Sequence, residues 1–513
     1  MAAAPGPATR TWSVLAELAR RDESFDLAGE FRVDPDRAHR HCIEAAGLTL
    51  DISRQRIDTA VLETLVRLAD EVRLREAIAA MYAGEPINVT EQRAAWHVLL
   101  RRPPTADTSP IHRQVLAERE RMLAFAETVR RSGRYDTVVN LGIGGSDLGP
   151  RMAVEALNPL AEPAVRFVSN VDGCALSDVL AQADPARTLF IVCSKSFTTH
   201  ETLSHAHVAR QWIIDARGSA AVGEHFVAVS VNAAAMDTFG IAPDRRFALW
   251  DWTGGRFSIW SPVGLSLAIA IGAADFTRFL EGAHAMDEHF RTAEWSRNLP
   301  ALLGLVGVWN TNFLAIPALA ILPYSDRLAR WPAFLQQLEM ESNGKSVLAD
   351  GSPALCATAP ILWGAPGNDA QHSFYQLLHQ GSLRSAMDIL MVLASPVGRP
   401  AAQRDANLHA LAQVEAFALG NTAGPPHRRH RGGRPQSLLV MPALTPATLG
   451  SLIALYEHKV FVQSVIWGIN AFDQFGVELG KKNFEALRAR HGEAASGAGD
   501  LSTITDWLRR CDE

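Results

Sequence analysis

Two glutamates in the segment QLEMESNGKS, residues 337–346, are the first candidates for chemistry. The segment ends in Gly-Lys-Ser, like a phosphate-binding P-loop, but that motif requires a glycine where Glu339 stands. A carboxylate at that position would repel a phosphate. On a helix, at about 100° per residue, Glu339 and Glu341 fall on opposite flanks of the apolar stripe. The spacing therefore argues against a shared carboxylate pair and leaves open which glutamate is functional.

A loop rich in hydroxyl groups, SKSFTTHET at 194–202, is the second candidate. It follows the β-rich segment TLFIVC and precedes a helical pattern. Hydroxyls together with the free N–H groups of a helix start bind anions, and an ordinary helix cap needs only one or two of them. The cluster therefore favours a phosphate site, and the lack of a Walker lysine favours a monophosphate over ATP. Its hydroxyl residues are Ser194, Ser196, Thr198, Thr199 and Thr202.

A glycine-rich turn, LGIGGSDLGP at 141–150, follows another strand-like segment. It is not a dinucleotide fingerprint, because the position of the third glycine holds Asp147. Its glycines allow the backbone to approach a ligand closely, and Ser146 can cap the next helix. A tight strand-to-helix turn without a ligand is the alternative.

Ionisable side chains in apolar surroundings occur in the second half of the chain. Arg256 lies among glycines and aromatics in GGRFSIWS, and His372 follows a glycine-containing turn in APGNDAQHSF. The segment DQFGVELGKK, 473–482, holds two carboxylates and two lysines. Each group alone is compatible with a structural role. Together they supply a base, a ring nitrogen and cations, which suits proton transfer next to a carbonyl on a phosphorylated substrate.

These blocks resemble, in order and through nearly the whole chain, the glucose-6-phosphate isomerase (phosphoglucose isomerase) family. The blocks are GIGGSDLGP, SKSFTTHET, GGRFSIWS, MESNGK, PGNDAQHSFYQLLHQG and DQFGVELGKK. The resemblance implies reversible aldose–ketose isomerisation of glucose 6-phosphate and fructose 6-phosphate, through ring opening and a cis-enediol(ate), in glycolysis and gluconeogenesis. It also implies a cytoplasmic homodimer with shared active sites, a sugar phosphate as substrate and no metal or organic cofactor.

The resemblance further implies a role for each site residue. Glu341 would be the base that moves a proton between C2 and C1, and Arg256 would stabilise the developing oxyanion. His372 of the partner subunit would help to open the sugar ring, with Lys481 assisting and Glu201 orienting the imidazole. The substrate-binding residues would be Gly145, Ser146, Ser194, Lys195, Ser196, Thr199 and Gln474.

Two departures from the family pattern lie near these residues. Ser196 replaces a threonine, which keeps the hydroxyl, and residues 368–370 differ from the family, adding the carboxylate of Asp369 close to His372. A related enzyme acting on other sugar phosphates is one alternative function. A sugar-phosphate-binding protein without turnover is another, although such a protein would not need the full catalytic set.

The elements that must position these residues alternate between strand and helix. Strand-like segments such as TVVNL, AVRFV, TLFIVC and FVAV, followed later by ALAILPY and SLLVMPA with helical stretches between them, predict parallel sheets covered by helices. The prediction is an α/β protein with two sugar-isomerase-type domains, a smaller one at 106–275 and a larger one at 276–490. A helical N-terminal segment, 1–105, would pack on the larger domain, and 491–513 would form a C-terminal tail helix.

Composition excludes several other classes of protein. The 513 residues are 48% hydrophobic and carry a net charge of −6, which argues against nucleic acid as a partner. The basic run HRRHRGGRP, 427–435, is interpreted as a solvated loop. Five scattered cysteines without a CxxC pair indicate a reducing compartment. The apolar stretch 300–324 is interrupted by asparagines and prolines, so it predicts a buried helix and strand rather than a membrane span.

Overall fold

The computed structural model describes residues 4–104 and 109–489, whose strands form two separate sheets. The strands in this part of the chain are β1 (Cys42–Ala45), β2 (Leu48–Asp51), β3 (Thr137–Leu141), β4 (Ala164–Val168), β5 (Thr188–Cys193), β6 (Phe226–Val229), β7 (Arg246–Phe247), β8 (Ala318–Pro323), β9 (Ile361–Gly364), β10 (Ala386–Val392) and β11 (Gln436–Met441).

Helices surround the two sheets. Within the described residues they are α1 (Arg10–Ala19), α2 (Leu27–Val33), α3 (Arg37–Arg40), α4 (Thr59–Glu71), α5 (Leu74–Ala83), α6 (Pro110–Ser132), α7 (Leu148–Leu157), α8 (Cys174–Gln182), α9 (His200–Arg217), α10 (Val222–His225), α11 (Ala233–Phe239), α12 (Leu265–Ile271), α13 (Ala273–Thr292), α14 (Leu299–Val308), α15 (Trp331–Gln336), α16 (Gly367–Gln371), α17 (Tyr375–Gln380), α18 (Pro400–Leu419), α19 (Pro446–Trp467) and α20 (Glu478–Ala489). Single π-turns extend α14 at Trp309–Phe313 and α15 at Gln337–Glu341.

The first sheet has the strand order β4-β3-β5-β6-β7, and all its strands are parallel. β5 is buried along its whole length, because helices cover both faces of such a sheet. Phe190 and Phe226 stack on neighbouring strands with ring centroids 5.0 Å apart. The carboxyl ends of parallel strands lie at one edge. The glycine turn after β3 and the hydroxyl loop after β5 therefore share that edge.

The second sheet has the order β1-β2-β11-β10-β8-β9. Its four later strands are parallel, and the hairpin β1–β2 joins them through an antiparallel pairing of β2 with β11. The described part of the N-terminal segment is mostly helical, and it also contributes two strands. Each of these strands has four residues, too few for alternation to be visible in the sequence.

The helix α19 is buried on almost every side, yet it carries three consecutive ionisable residues near its middle. Glu457 accepts hydrogen bonds from Arg101 and from Trp260 Nε1, the latter at 2.9 Å. His458 Nε2 lies 2.7 Å from Asp287 Oδ1 on α13. Lys459 Nζ lies 2.6 Å from a carboxylate oxygen of Glu339. Each buried charge therefore has an oppositely charged or polar partner on a different element.

The stretch 300–324 forms α14, a π-turn and β8, so the prediction of a buried helix followed by a buried strand is confirmed. No helix in the described ranges is long and apolar enough to cross a membrane. Between β8 and β11 the pattern predicts helices alone, but β9 and β10 also lie there. Asp388 interrupts the apolar pattern of β10, although it is buried and accepts a hydrogen bond from Tyr456 at 2.9 Å.

Residues 472–489 belong to a compact unit separate from the rest of the described chain. Its described part consists of a 3₁₀ turn, Phe475–Val477, and the helix α20. Lys482 and Glu478 on α20 form an exposed ion pair at 3.9 Å. The predicted tail helix at 491–513 lies outside the described residues.

Candidate active site

The hydroxyl loop connects β5 to α9 and folds back on itself through its own side chains. Ser194 Oγ donates to Thr199 Oγ1 at 3.1 Å, and the hydroxyl oxygens of Ser196 and Thr198 are 2.6 Å apart. Phe197 adopts a left-handed backbone conformation (φ 53°) and is buried. Thr199 occupies the N-cap of α9 without a capping hydrogen bond from its side chain. The first N–H groups of α9 therefore remain directed at this loop, which is the arrangement that binds anions.

Lys195 ties the hydroxyl loop to the segment that precedes Arg256. Its Nζ donates to the carbonyl oxygens of Asp251 and Thr253 at 2.9 and 3.0 Å. Burial of the ammonium group, with a smaller effect of Arg93, lowers the pKa of Lys195 to about 8. Because the side chain is bonded to these carbonyls, a ligand in the loop would meet the backbone of this residue more readily than its ammonium group.

The glycine turn packs directly on the Arg256 segment. A Cβ atom on Gly145 would lie 2.1 Å from the carbonyl oxygen of Gly255. One on Gly142 would lie 2.8 Å from Ser146 Cβ and 3.2 Å from the carbonyl oxygen of Cys193, the last residue of β5. Glycine is therefore required for close approach, and it brings the turn, the end of β5 and the Arg256 segment together.

Arg256 and Glu341 form an ion pair at the centre of this arrangement. Arg256 Nη1 lies 3.3 Å from Glu341 Oε2, and Arg256 Nε donates to Ser342 Oγ at 2.6 Å. Gln337 Nε2 also donates to Glu341 Oε2, at 3.1 Å. The arginine side chain is 1% exposed and that of Glu341 is 24% exposed. A fixed, buried cation thus stands beside a carboxylate that a ligand can reach.

The two glutamates of the π-turn have different environments, as their spacing predicts. Glu339 is 2% exposed and pairs with Lys459, and its second oxygen accepts from Asn343 Nδ2 at 3.3 Å. Its negative charge is therefore balanced within the protein by Lys459. Lys345 of the Gly-Lys-Ser tail donates to the backbone carbonyl of Glu341 at 3.0 Å, so it holds the end of the turn. Of the two glutamates, only Glu341 reaches solvent.

Sequence reasoning missed two residues that hold Glu341 and Arg256. Gln337 stands four positions before Glu341, so helical spacing alone places both on one face. Its amide also lies near Gly144, where a Cβ would be 3.1 Å from Nε2. Ser342 is fully buried and directly follows the glutamate. The i, i+4 spacing could have identified Gln337. Nothing in the sequence identifies Ser342.

The contacts described above involve none of four other predicted site residues, which are His372, Glu201, Gln474 and Lys481. His372 is exposed at the end of α16, and its side chain makes no hydrogen bond to any described residue. Glu201 lies in the first turn of α9, half-buried and likewise without a side-chain hydrogen bond in the described ranges. Gln474 and Lys481 belong to the separate C-terminal unit. The roles assigned to these four residues stay predictions.

Comparison with known structures shows the fold of this chain. The crystal structure of a glucose-6-phosphate isomerase from Chlamydia trachomatis D/UW-3/Cx matches the whole chain, with a TM-score of 0.91, 33% identity, and coverage of 99% of this chain and 100% of that one. The protein thus has the sugar-isomerase fold, with two helix-covered sheets and the predicted loops at their edges.

Sequence comparison identifies the family. A family model described as phosphoglucose isomerase matches residues 51–505. The glucose-6-phosphate isomerase of Gloeobacter violaceus is 47% identical over 507 residues, covering 93% of this chain and 92% of that protein. The one from Roseiflexus sp. is 50% identical over 480 residues, covering 88% of each. The chain belongs to the phosphoglucose isomerase family.

Proposed function

We propose that this protein catalyses the reversible isomerisation of glucose 6-phosphate and fructose 6-phosphate. Family membership supports the reaction, and the pairing of a buried arginine with a partly exposed glutamate at 3.3 Å is the observation that carries it. The reaction needs a base that reaches a carbon-bound proton and a cation beside the oxygen on which charge develops. Glu341 and Arg256 supply these two groups on adjoining, well-anchored segments.

The phosphate would bind in the hydroxyl loop. Ser194, Ser196 and Thr199 present hydroxyls around the start of α9, and Lys195 adds its backbone and a nearby positive charge. Gly145 and Ser146 would line the path from this loop to the reacting carbons. A phosphate held away from C1 and C2 supplies binding free energy that orients them for proton transfer.

The proton transfer would be carried out by Glu341. Its carboxylate removes the proton from C2 of the open-chain aldose to give a cis-enediolate. The proton of the C2 hydroxyl passes to O1, and the carboxylic acid returns the carbon-bound proton to C1, which leaves a ketone at C2. Negative charge develops on the carbonyl oxygen, and the Arg256 guanidinium stabilises that charge more than the neutral carbonyl. The hydrogen bonds to Ser342 and Ala471 hold the guanidinium in place before the reaction begins.

Ring opening would need a second acid–base group. In the proposed homodimer, His372 of the partner subunit donates a proton to the ring oxygen, Lys481 assists, Glu201 orients the imidazole and Gln474 contacts the substrate. The exposure of His372 and the lack of a hydrogen bond to its side chain within the described chain suit a residue that acts on a neighbouring subunit. The proposed enzyme is cytoplasmic and works without a metal or organic cofactor.

The base assignment is tested with Glu341→Gln, which keeps the size of the side chain and removes its basicity. A coupled assay with fructose 6-phosphate measures turnover, and incorporation of deuterium from D2O into the sugar measures proton transfer directly. We expect both to fall by at least about 1,000-fold, because the general base is lost, while sugar-phosphate binding is retained. Glu281→Gln, an exposed glutamate on α13, is the matched control. A Glu341→Gln variant with a near-wild-type rate would overturn the assignment.

The shared site is tested by mixing two inactive variants, His372→Ala and Glu341→Gln. Mixed dimers contain one site with both wild-type residues, so exchange of subunits should restore up to about a quarter of the wild-type activity per chain. Native mass spectrometry measures the extent of subunit exchange. We expect activity to rise in proportion to that extent. No recovery after complete exchange would show that each site is built from a single chain.

A further inference from the structure

A second cleft, of about 560 Å³, lies between the N-terminal segment and the turns around β11. Arginine is the most frequent charged residue in its lining. The four arginines are Arg56, Arg384, Arg431 and Arg434. None of the proposed catalytic or substrate-binding residues lines this cleft. Two of these arginines belong to the basic run 427–435, which the isomerase site does not use.

Asp22 forms ion pairs with two of the four arginines. Arg56 Nε donates to Asp22 Oδ1 at 2.5 Å, and Arg384 Nη1 donates to Asp22 Oδ2 at 2.6 Å. Their remaining donors also reach backbone carbonyls, including those of Gly433 and Leu314. Asp22 offsets one of their two positive charges, and together with the carbonyl oxygens it holds both guanidinium groups in place. They do not supply the free donors that a ligand would need.

The other two arginines retain unused donors. Arg434 is 6% exposed, and its Nη2 donates to the carbonyl oxygens of His379 and Gly381. Its Nε is buried and has no hydrogen-bond partner. Arg431 is exposed and makes no hydrogen bond or ion pair with any described residue. A buried N–H without a partner is destabilising, so an acceptor that reached Arg434 Nε would relieve that penalty.

The electrostatic environment of Arg434 also favours the binding of an anion. Burial of the guanidinium, together with the charges of Arg431, Arg384 and Arg56, lowers the pKa of Arg434. The cleft lining holds four arginines against two aspartates, Asp22 and Asp26. The cleft is therefore net positive, and an anion bound beside Arg434 would be stabilised by charges that now repel one another.

We propose that this cleft is a binding site for a phosphate dianion, either inorganic phosphate or a small phosphomonoester, separate from the isomerase site. Arg431 has free N–H donors and Arg434 has an unpaired N–H, both in the lining of the cleft, and guanidinium groups bind phosphate oxygens in pairs. The cleft is wider than one phosphate, which leaves room for the organic part of a monoester. A site of this kind would let the enzyme respond to a phosphorylated compound that it does not isomerise.

The proposal is tested on the full-length protein by equilibrium dialysis with radiolabelled inorganic phosphate at low ionic strength. Wild-type protein should bind two equivalents per chain, one of them in the isomerase site. Arg431→Gln should lose one equivalent, with at least tenfold weaker binding, and should keep its isomerase activity in phosphate-free buffer. Because Arg431 is exposed, this variant is expected to fold normally, and Arg434→Lys provides a second test at the buried position.

The matched control is Arg428→Gln, an exposed arginine of the same basic run that does not line the cleft. It removes the same net charge, so it should retain both equivalents if binding depends on the cleft. Repeating the dialysis with labelled phenyl phosphate distinguishes a site that accepts monoesters from one that is restricted to inorganic phosphate. Phosphate binding that Arg431→Gln leaves unchanged, or equal losses in Arg431→Gln and Arg428→Gln, would overturn the proposal, whereas an equivalent lost only in Arg431→Gln supports it whether or not the isomerase site also binds phosphate.

Discussion

The buried ion pair beside the proposed base gives a quantitative prediction of stability. Lys459 and Glu339 are separated by 2.6 Å, and neither side chain is more than 2% exposed. Lys459→Met keeps a similar volume but leaves Asn343 as the remaining hydrogen-bond donor to Glu339 within the described residues. Removing one partner of a buried pair costs about 3–5 kcal/mol, because the other charge is left without compensation. We expect the free energy of unfolding to fall by that amount.

Urea unfolding of three variants separates the cost of leaving Glu339 without a partner from the cost of lost packing. The double variant Lys459→Met/Glu339→Gln removes both charges, so it should recover more than half of the loss seen in Lys459→Met alone. Arg278→Met is the matched control, because it breaks an exposed pair with Asp275 whose side chains are 63% and 40% exposed. Such a pair contributes less than about 1 kcal/mol.

The same variant should affect catalysis. Glu339 and Glu341 belong to one π-turn, so loss of the Lys459 anchor should displace the proposed base and lower kcat more than it raises KM. The reasoning is refuted if Lys459→Met lies within about 1 kcal/mol of the wild type. It is also refuted if the double variant is as unstable as the single one.

Two other predictions concern the glycine turn. Gly145→Ala should lower kcat/KM by about 100-fold, because its Cβ would lie 2.1 Å from the Gly255 carbonyl oxygen and would displace the Arg256 segment. Gly223→Ala is the control and should leave kcat/KM unchanged, because a Cβ there meets open space. Burial raises the pKa of Asp147 from 3.8 to about 6, so the folded state favours the neutral acid and loses stability as the pH rises from about 4 to above 6. Asp147→Asn should therefore raise stability by up to about 3 kcal/mol at pH 8 and change it little at pH 4, as measured by thermal unfolding at both values. A stabilisation that is equal at the two pH values would contradict this titration.

The strand-end loops of the first sheet could be predicted because their physics is local. An apolar β-rich segment that ends in glycines or hydroxyls implies a parallel strand, and parallel strands bring their carboxyl ends to one edge. This logic places the glycine turn and the hydroxyl loop at one edge of the first sheet, where the structure has both. The environment of Glu341 was not accessible in the same way, since it depends on Arg256, 85 positions earlier.

Other elements depended on contacts that no local pattern reveals. β10 lies inside the second sheet although it contains Asp388, whose burial is balanced by Tyr456, 68 positions away. The hairpin β1–β2 is stable because β2 pairs with β11 across nearly the whole chain. Periodicity also assumes one helical geometry through residue 342. The structure instead widens into a π-turn at Gln337–Glu341, which alters where each side chain points.

The three consecutive ionisable residues of α19 also restrict how the chain can assemble. At about 100° per residue, Glu457, His458 and Lys459 point in three directions, toward Arg101, Asp287 and Glu339 respectively. A helix that slid or rotated by one residue would separate all three side chains from their partners, and each of Glu457 and Lys459 that stayed charged without its partner would cost several kcal/mol. An apolar helix could settle in several registers of similar energy. Because each of these three residues has its own partner, α19 packs in a single register. Lys459 thereby fixes the position of the π-turn that carries Glu339 and Glu341 along α19.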